Sequence, residues 1–234
     1  MNLTVKVYDV EHGSCTHIIT PNGKHFLVDI GTKSGKSICQ HMKANYFPSQ
    51  GSIDYLIITH PHIDHIADLE GLYTYDIKPH TLRRPRAAFP LQTVYTDTEA
   101  IIALKKRANE MNAWYNNAVT IDPDLPDNNG GVGICFFDPN VSDLEKHDIN
   151  NFSNVMVMKY AGFKIILTGD NPPSKLIAML QQNDFRLAIE NATVLLAPHH
   201  GRDRDYCDEF VKVVNPLVTV FSDKAIQYDT QAHA

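Results

Sequence analysis

The chain has no CxxC pair. Its four cysteines, Cys15, Cys39, Cys135 and Cys207, are scattered over 234 residues, which argues against a disulfide framework and fits reduced thiols in a cytoplasmic protein. No stretch approaches the roughly 18–20 uninterrupted apolar residues that a membrane span needs. The opening MNLTVKVYDVEHGSC shows no basic head followed by an apolar run, so no secretory leader is expected. Positive charge is in deficit: 21 Lys+Arg face 27 Asp+Glu, a net charge of -6. A globally basic nucleic-acid binder is thereby disfavoured, while a local basic groove stays open. Repeats, low-complexity tracts and linkers are absent too. With 43% hydrophobic and 21% charged residues, a disordered or collagen-like chain is excluded. One compact α/β domain over residues 1–234 is expected, long enough to bury a core without staples. What the chain has in excess is histidine: twelve in all, five of them in two short clusters, His60/His62/His65 and His199/His200.

Alternation of apolar and polar residues predicts a half-buried strand at 3–10, with further strands at 15–20 and 25–30 joined by Pro21-Asn22-Gly23. A short helix is expected over 35–44. The run IDYLIIT at 53–59 reads as a strand covered on both faces. Residues 79–95, with three prolines and Arg83-Arg84-Pro85-Arg86, read as a long loop containing at most one strand. Thr96 with Glu99 fits a capping box, opening a helix over 96–115 whose Ile101, Leu104, Ala108, Met111 and Tyr115 form an apolar stripe. Strands are expected at 132–137, 154–160, 163–168, 193–197 and 217–221, and a helix at 173–183 behind Pro172-Pro173. Trp114, Tyr115 and the cysteines are assigned to the core. The order predicts two mixed sheets with helices outside.

Three segments carry chemistry. In Thr59-His60-Pro61-His62-Ile63-Asp64-His65, four potential metal ligands fall within six positions, directly after an apolar strand. His60 and His62 share one side of an extended segment, Asp64 continues that parity, and His65 turns back from the start of a helix. Leu167-Thr168-Gly169-Asp170 also ends a strand, where Asp170 is either a metal bridge or a cap for the helix after Pro172. Ala197-Pro198-His199-His200-Gly201 ends a third. Each set sits at the carboxyl end of a strand, where loops converge on a rigid sheet. Imidazole and carboxylate without thiolate suit Zn²⁺, with Mn²⁺ or Fe as substitutes.

HPHIDH resembles the HxHxDH signature of the metallo-β-lactamase superfamily, and LTGD resembles its bridging-aspartate motif. In finer detail the chain resembles the ComEC-like branch, the hydrolase domain of competence DNA-uptake proteins and their free-standing relatives. The ordered set is Asp9-Val10-Glu11-His12-Gly13-Ser14, Val28-Asp29-Ile30-Gly31, Asn150-Asn151-Phe152-Ser153 and PHHG at 198–201. The chain departs from the branch at Glu11, usually Gly, and at Ser14, usually Asp. Most superfamily hydrolases also carry a third histidine upstream of the bridging aspartate. Here Asn150 or Asn151 stands in that region, and His147 lies near it but off register.

The resemblance implies a four-layer αββα sandwich and two ions held by His60, His62, Asp64, His65, Asp170 and a histidine of the His199/His200 pair, of which either could be the ligand. It also implies related chains that run on through another hairpin, so that a short C-terminal piece is missing here. Two cations about 3.5–4 Å apart with a shared water form a hydrolytic centre, and Asp64 would orient or deprotonate that water. His65 is kept where an H-x-E-x-D pattern would mark the redox di-iron branch. His12 is a candidate proton donor or substrate contact. Asn150, Asn151, Arg83 and Arg84 are candidate substrate contacts; Arg86 and Lys105 to Arg107 extend a candidate phosphate rim. The implied activity is a phosphodiesterase or nuclease. Alternatives are hydrolysis of a lactam, lactone or thioester, or a catalytically weak metal-binding module.

Overall fold

In this computed structural model, residues 2–33 and 35–223 are described. Ten strands form two five-stranded sheets, ordered β1-β2-β3-β4-β5 and β10-β9-β8-β7-β6. The first contains β1 (Thr4–Val7), β2 (Thr16–Ile19), β3 (His25–Val28), β4 (Tyr55–Ile57) and β5 (Thr81–Arg83). The second contains β6 (Gly133–Phe137), β7 (Val155–Tyr160), β8 (Phe163–Leu167), β9 (Val194–Leu196) and β10 (Val218–Val220). Each sheet is antiparallel on one side and parallel on the other: β3, β4 and β5 run parallel, as do β8, β9 and β10.

The helices are α1 (Ile38–Tyr46), α2 (Ile63–Ile66), α3 (Leu69–Thr74), α4 (Glu99–Trp114), α5 (Pro126–Asn129), α6 (Pro173–Met179), α7 (Asn183–Ile189) and α8 (Asp208–Val214). None is long and apolar enough to cross a membrane.

The strand period of two explains the layering. Leu56 and Ile58 join Met42, Leu72 and Met111 under the first helical layer. Their neighbours Tyr55 and Ile57 face the other way, onto Met156, Met158 and Leu167 of the second sheet. In β7, Val155 and Val157 turn to Leu176, Phe185 and Phe210 of the second helical layer. Both sheets are thus covered on two faces, which is why 53–59 is almost continuously apolar. The architecture is the α/β sandwich of two mixed sheets flanked by helices that the sequence implies.

Several boundaries differ. The first helix starts at Ile38 because the Ser37 hydroxyl accepts from the Gln40 amide. The long helix is capped by Thr98, whose hydroxyl accepts from the Ile101 amide, and not by Thr96. The 79–95 segment supplies β5, which pairs with β4. The helix expected at 173–183 ends at Met179 and a separate α7 begins at Asn183; α8 was not foreseen. Trp114 is 58% exposed and meets Tyr73 edge-on, instead of entering the core. Cys135 is exposed on β6, whereas Cys15, Cys39 and Cys207 are buried. The expected C-terminal shortfall concerns positions outside the described residues.

Candidate metal centre

The parallel strands of both sheets deliver their carboxyl ends to one place. From the first sheet, β3 is followed directly by Asp29 and β4 runs on into Thr59 and His60. Asp29 sits in left-handed backbone, φ 58°, fully buried. Its carboxylate accepts from the Thr59 amide at 2.7 Å and from the Thr59 hydroxyl at 2.8 Å. It also lies 2.7 Å from His65 Nδ1. This bracing lets the chain leave β4, pass through Pro61 and enter the single turn of α2 that carries Asp64 and His65. The joint is close-packed: Gly31 donates its amide to the Ser14 carbonyl at 2.8 Å. A Cβ at Gly31 would stand 2.3 Å from the Asp64 carbonyl oxygen.

From the second sheet, β8 ends in Gly169-Asp170. The Asp170 amide donates to Ser153 Oγ at 3.1 Å. Gly169 has φ 54°, and a Cβ there would meet Ser153 and Thr59 side chains at 3.0 Å. After β9, a 3-10 turn (Pro198–Gly201) carries His199 and His200, both left-handed at φ 46° and 60°. The His199 amide donates to the Gly169 carbonyl at 3.1 Å, tying the histidine turn to the aspartate turn.

The buried Asp170 carboxylate is the point of convergence. Its Oδ1 lies 3.1 Å from His65 Nε2. Its Oδ2 lies 3.7 Å from His60 Nε2, 3.6 Å from His199 Nε2 and 3.4 Å from His200 Nε2. Asp64 Oδ2 lies 3.2 Å from His200 Nε2. Two groups of donors result: Asp64, His65, Asp170 and His200, and His60, His62 and Asp170, the atoms of each lying within 4.8 Å of one another.

Four of these atoms, His60 Nε2, His65 Nε2, Asp170 Oδ2 and His200 Nε2, are buried with no hydrogen-bond partner. Orphaned buried polar atoms are costly, and their clustering fits a cation. The outer nitrogens are engaged in the manner of ligating histidines. His60 Nδ1 meets Thr59 Oγ1 at 3.2 Å, His65 Nδ1 meets Asp29, and His199 Nδ1 meets Asp205 Oδ2 at 2.8 Å.

Electrostatics match this picture. Burial opposes ionisation of Asp170, but the facing His65 and His200 hold it well below the usual carboxylate range. Burial likewise opposes ionisation of Asp64, and the facing His200 and His65 outweigh it. Burial pushes His60 far down. The same burial acts on His65 and His200, yet the charge of Asp170 prevails, raising His65 well above its ordinary value and His200 to about 9. The cluster therefore suits positive charge at its centre.

His12 joins this cluster from the first loop. Its Nε2 is 3.2 Å from Asp64 Oδ2, its ring centroid is 4.6 Å from that of His200, and its Nδ1 is 2.9 Å from Asp223. His62 is exposed on the open side, its Nδ1 3.9 Å from Asp64.

The candidate substrate contacts are dispersed. Asn151 donates its side-chain amide to the Glu145 carbonyl. Asn150 Oδ1 is buried without a partner. His147 is exposed and engages the Leu144 carbonyl, as its register implies. Arg83 lies over the Phe136 ring at 3.8 Å and pairs with Asp138 at 3.5 Å. Arg84 is buried, donating to the Asn112 carbonyl and to the side chains of Asn112 and Asn116 at the end of α4. Lys105 and Arg107 are paired with Asp97 and Glu70. Two grooves of about 710 and 590 Å³ share Thr81, Leu82, Arg86, Val119 and Pro123 and contain none of the candidate metal-binding histidines.

The sequence reading did not single out roles for Thr59, Asp205, Arg202 or Asp223. Asp29 could be noticed as the acidic residue of VDIG, but nothing local marks it as the partner of His65.

Residues 8–221 match the metallo-beta-lactamase superfamily, and the chain belongs to it. Members are mostly metal-dependent hydrolases. Among solved structures, isothiocyanate hydrolase from Delia radicum gut bacteria is 13% identical with a TM-score of 0.50, covering 97% of this chain and 87% of its own. A mutant of the CmlA beta-hydroxylase is 15% identical with a TM-score of 0.51, and this chain spans 48% of its length while being covered in full. The metallo-beta-lactamase fold protein YhfI from Bacillus subtilis is 15% identical with a TM-score of 0.46, over 97% of this chain and 90% of that one. At such identities the likeness is one of fold. No curated protein sequence matches the chain.

Proposed function

We propose that the protein is a cytoplasmic metal-dependent hydrolase of phosphodiesters, with nucleic acid as one such substrate, in the ComEC-like branch of the superfamily. The observation that carries the metal assignment is Asp170: a buried carboxylate ringed by imidazole nitrogens that have no hydrogen-bond partner. Two Zn²⁺ ions suit the donors, with Mn²⁺ or Fe as substitutes. His60, His62 and Asp170 hold one, with His199 as third imidazole in place of the histidine missing near Asn150. Asp64, His65, Asp170 and His200 hold the other.

Bound there, such ions supply Lewis acidity and lower the pKa of water. Asp170 belongs to both donor groups and would be shared between the ions. Asp64 directs a carboxylate oxygen into the same space and is the candidate for orienting the attacking water or accepting its proton. His12, braced by Asp223, stands beside Asp64 as the candidate to meet the leaving group. Asn150 and Asn151, on the segment leading to Ser153 beneath Asp170, are candidate substrate contacts. Arg83, at the groove along β5, is a more distant one. Arg84 is committed to α4 and drops out of that role.

The test is metal content of the purified protein, followed by turnover of bis-p-nitrophenyl phosphate, DNA and a lactam and lactone panel. Two ions per chain and phosphodiester turnover, both lost in His62→Ala and Asp170→Ala, are expected. Wild-type behaviour in those variants would falsify the reading. Lactone turnover with phosphodiester inertness would replace it with carbonyl hydrolysis. Full occupancy without any turnover would leave a metal-binding module.

A further inference from the structure

Directly after Asp170 the chain reads Asn171-Pro172-Pro173. Proline has no N–H, so the backbone of the next two residues cannot donate back to the aspartate turn. The Asn171 side chain does so instead. Asn171 is fully buried, and its Nδ2 donates to the Thr168 carbonyl at 2.9 Å and to the Ser153 carbonyl at 2.6 Å. Thr168 directly follows β8, and Ser153 lies two residues before β7. One amide group thus clamps the ends of both strands beside Asp170.

The clamp leaves Asn171 Oδ1 buried with no hydrogen-bond partner. A half-satisfied buried amide is a poor choice for stability alone. Turning the amide over would set Oδ1 against two carbonyl oxygens, acceptor against acceptor. Its orientation is therefore dictated by the two strand ends it grips.

Both grips bear on Asp170. Ser153 accepts the Asp170 amide on its Oγ at 3.1 Å. Gly169, between Thr168 and Asp170, is left-handed, and its carbonyl accepts the His199 amide at 3.1 Å. The carboxylate so carried has no slack: Oδ1 faces His65, while Oδ2 faces His60, His199 and His200.

We propose that Asn171 is the positioning residue of this carboxylate, holding Asp170 at the angle that serves both donor groups at once. It touches no substrate and acts only through Asp170. The inference rests on the reading of Asp170 as a ligand shared by two ions, but part of its test needs no metal.

The experiment compares wild type, Asn171→Leu, Asn171→Ser, Asp29→Asn and the surface control Arg186→Ala. Leucine keeps the branching of asparagine without its donors, and serine keeps one hydroxyl donor. Zn²⁺ affinity at each site is measured by competition with a chromophoric chelator. Spin coupling of a bound Mn²⁺ pair is read by electron paramagnetic resonance. Amide hydrogen exchange at Asp170 and His199 is followed by NMR in the metal-free proteins, with Thr16–Ile19 of β2 as reference.

In Asn171→Leu both zinc affinities are expected to fall together, by about 10–100-fold, with weaker Mn²⁺ coupling, whereas Asp29→Asn weakens one site. Exchange at Asp170 and His199 should quicken at least about tenfold while β2 keeps its wild-type rates. Asn171→Ser should lose less at both sites, and Arg186→Ala should match wild type. Affinities within about twofold of wild type at both sites of Asn171→Leu, or a loss confined to one ion, would overturn the proposal. So would exchange quickened equally in β2, which would make Asn171 a support of the whole fold. A wild type that binds no zinc would instead overturn the metal-centre reading, and exchange in the metal-free protein would still judge Asn171: unaltered rates at Asp170 refute it. If Asn171→Leu does not fold, Asn171→Ser decides alone: wild-type affinity at both sites there refutes the clamp.

Discussion

Asp29 and His65, 36 positions apart, meet at 2.7 Å between carboxylate and Nδ1. That contact fixes which imidazole nitrogen is turned toward Asp170, because Nδ1–H is committed to Asp29. The same carboxylate holds the Thr59 amide and hydroxyl, so one buried side chain sets both the ring and the backbone that carries His60.

Replacing Asp29 by Asn should therefore weaken the ion held by Asp64, His65 and His200 by about 10–100-fold, the range usual for outer carboxylates of ligating histidines. Asp29→Ala adds an unsatisfied Thr59 amide, and a stability loss of about 1–3 kcal/mol is expected. Metal titration and urea unfolding read the two effects separately. Unchanged affinity in Asp29→Asn would show that His65 is oriented by other means.

The missing upstream histidine gives a second prediction. If His199 supplies the third imidazole, His199→Ala should release one ion at least tenfold more readily while the other remains, whereas Asn150→Ala and Asn151→Ala should bind both. Cobalt substitution followed by absorption spectroscopy counts the sites. Loss of an ion in an asparagine variant, with His199→Ala intact, would move the ligand back to the 150 region.

Close packing at Gly31 predicts a third outcome. An alanine methyl would fall 2.3 Å from the Asp64 carbonyl and 2.8 Å from that of Ser14. Both obstacles are backbone, so relief requires the α2 entry to shift. Gly31→Ala is expected to cost at least ~1–3 kcal/mol and to lower the urea midpoint at unchanged m.

Acid sensitivity away from the centre follows from His17. Burial, with the nearby charges of His25, Lys6 and His41, pushes it from its ordinary value down to about 3. Its Nε2 meets His25 Nδ1 at 3.0 Å, and its ring stacks on Tyr8. The folded value is depressed, so the unfolded chain takes up a proton first. The stabilising contribution is complete above the unfolded value of roughly 6.5 and drains away between there and about pH 3. His17→Phe should flatten the fall in unfolding free energy between pH 6.5 and 4. Parallel curves for the two proteins would assign that fall to other groups.

Much of the sandwich was readable because its strands are covered on both faces. Ile57 and Leu56 need opposite apolar environments, and a continuous apolar run reports both at once. The candidate donors stand out because HPHIDH packs four of them beside one such strand. What stayed hidden depends on distance along the chain. Asp29, Asp205 and Asp223 act on histidines through contacts that no local spacing encodes. Arg83 and Arg84 look like a basic rim until Asp138 and Asn112 are placed beside them. Trp114 sits at the last turn of α4, where the apolar stripe has already rotated toward solvent.

The donors reach the centre from opposite halves of the sandwich: His60, His62, Asp64 and His65 follow a strand of one sheet, while Asp170, His199 and His200 follow strands of the other. An ion seated among them is consequently a rivet through both plates. Its departure would leave the halves joined chiefly by the greasy seam of Phe26, Ile57, Met156 and Leu167. Occupancy should thus govern how readily the whole molecule is prised open, as well as whether it works.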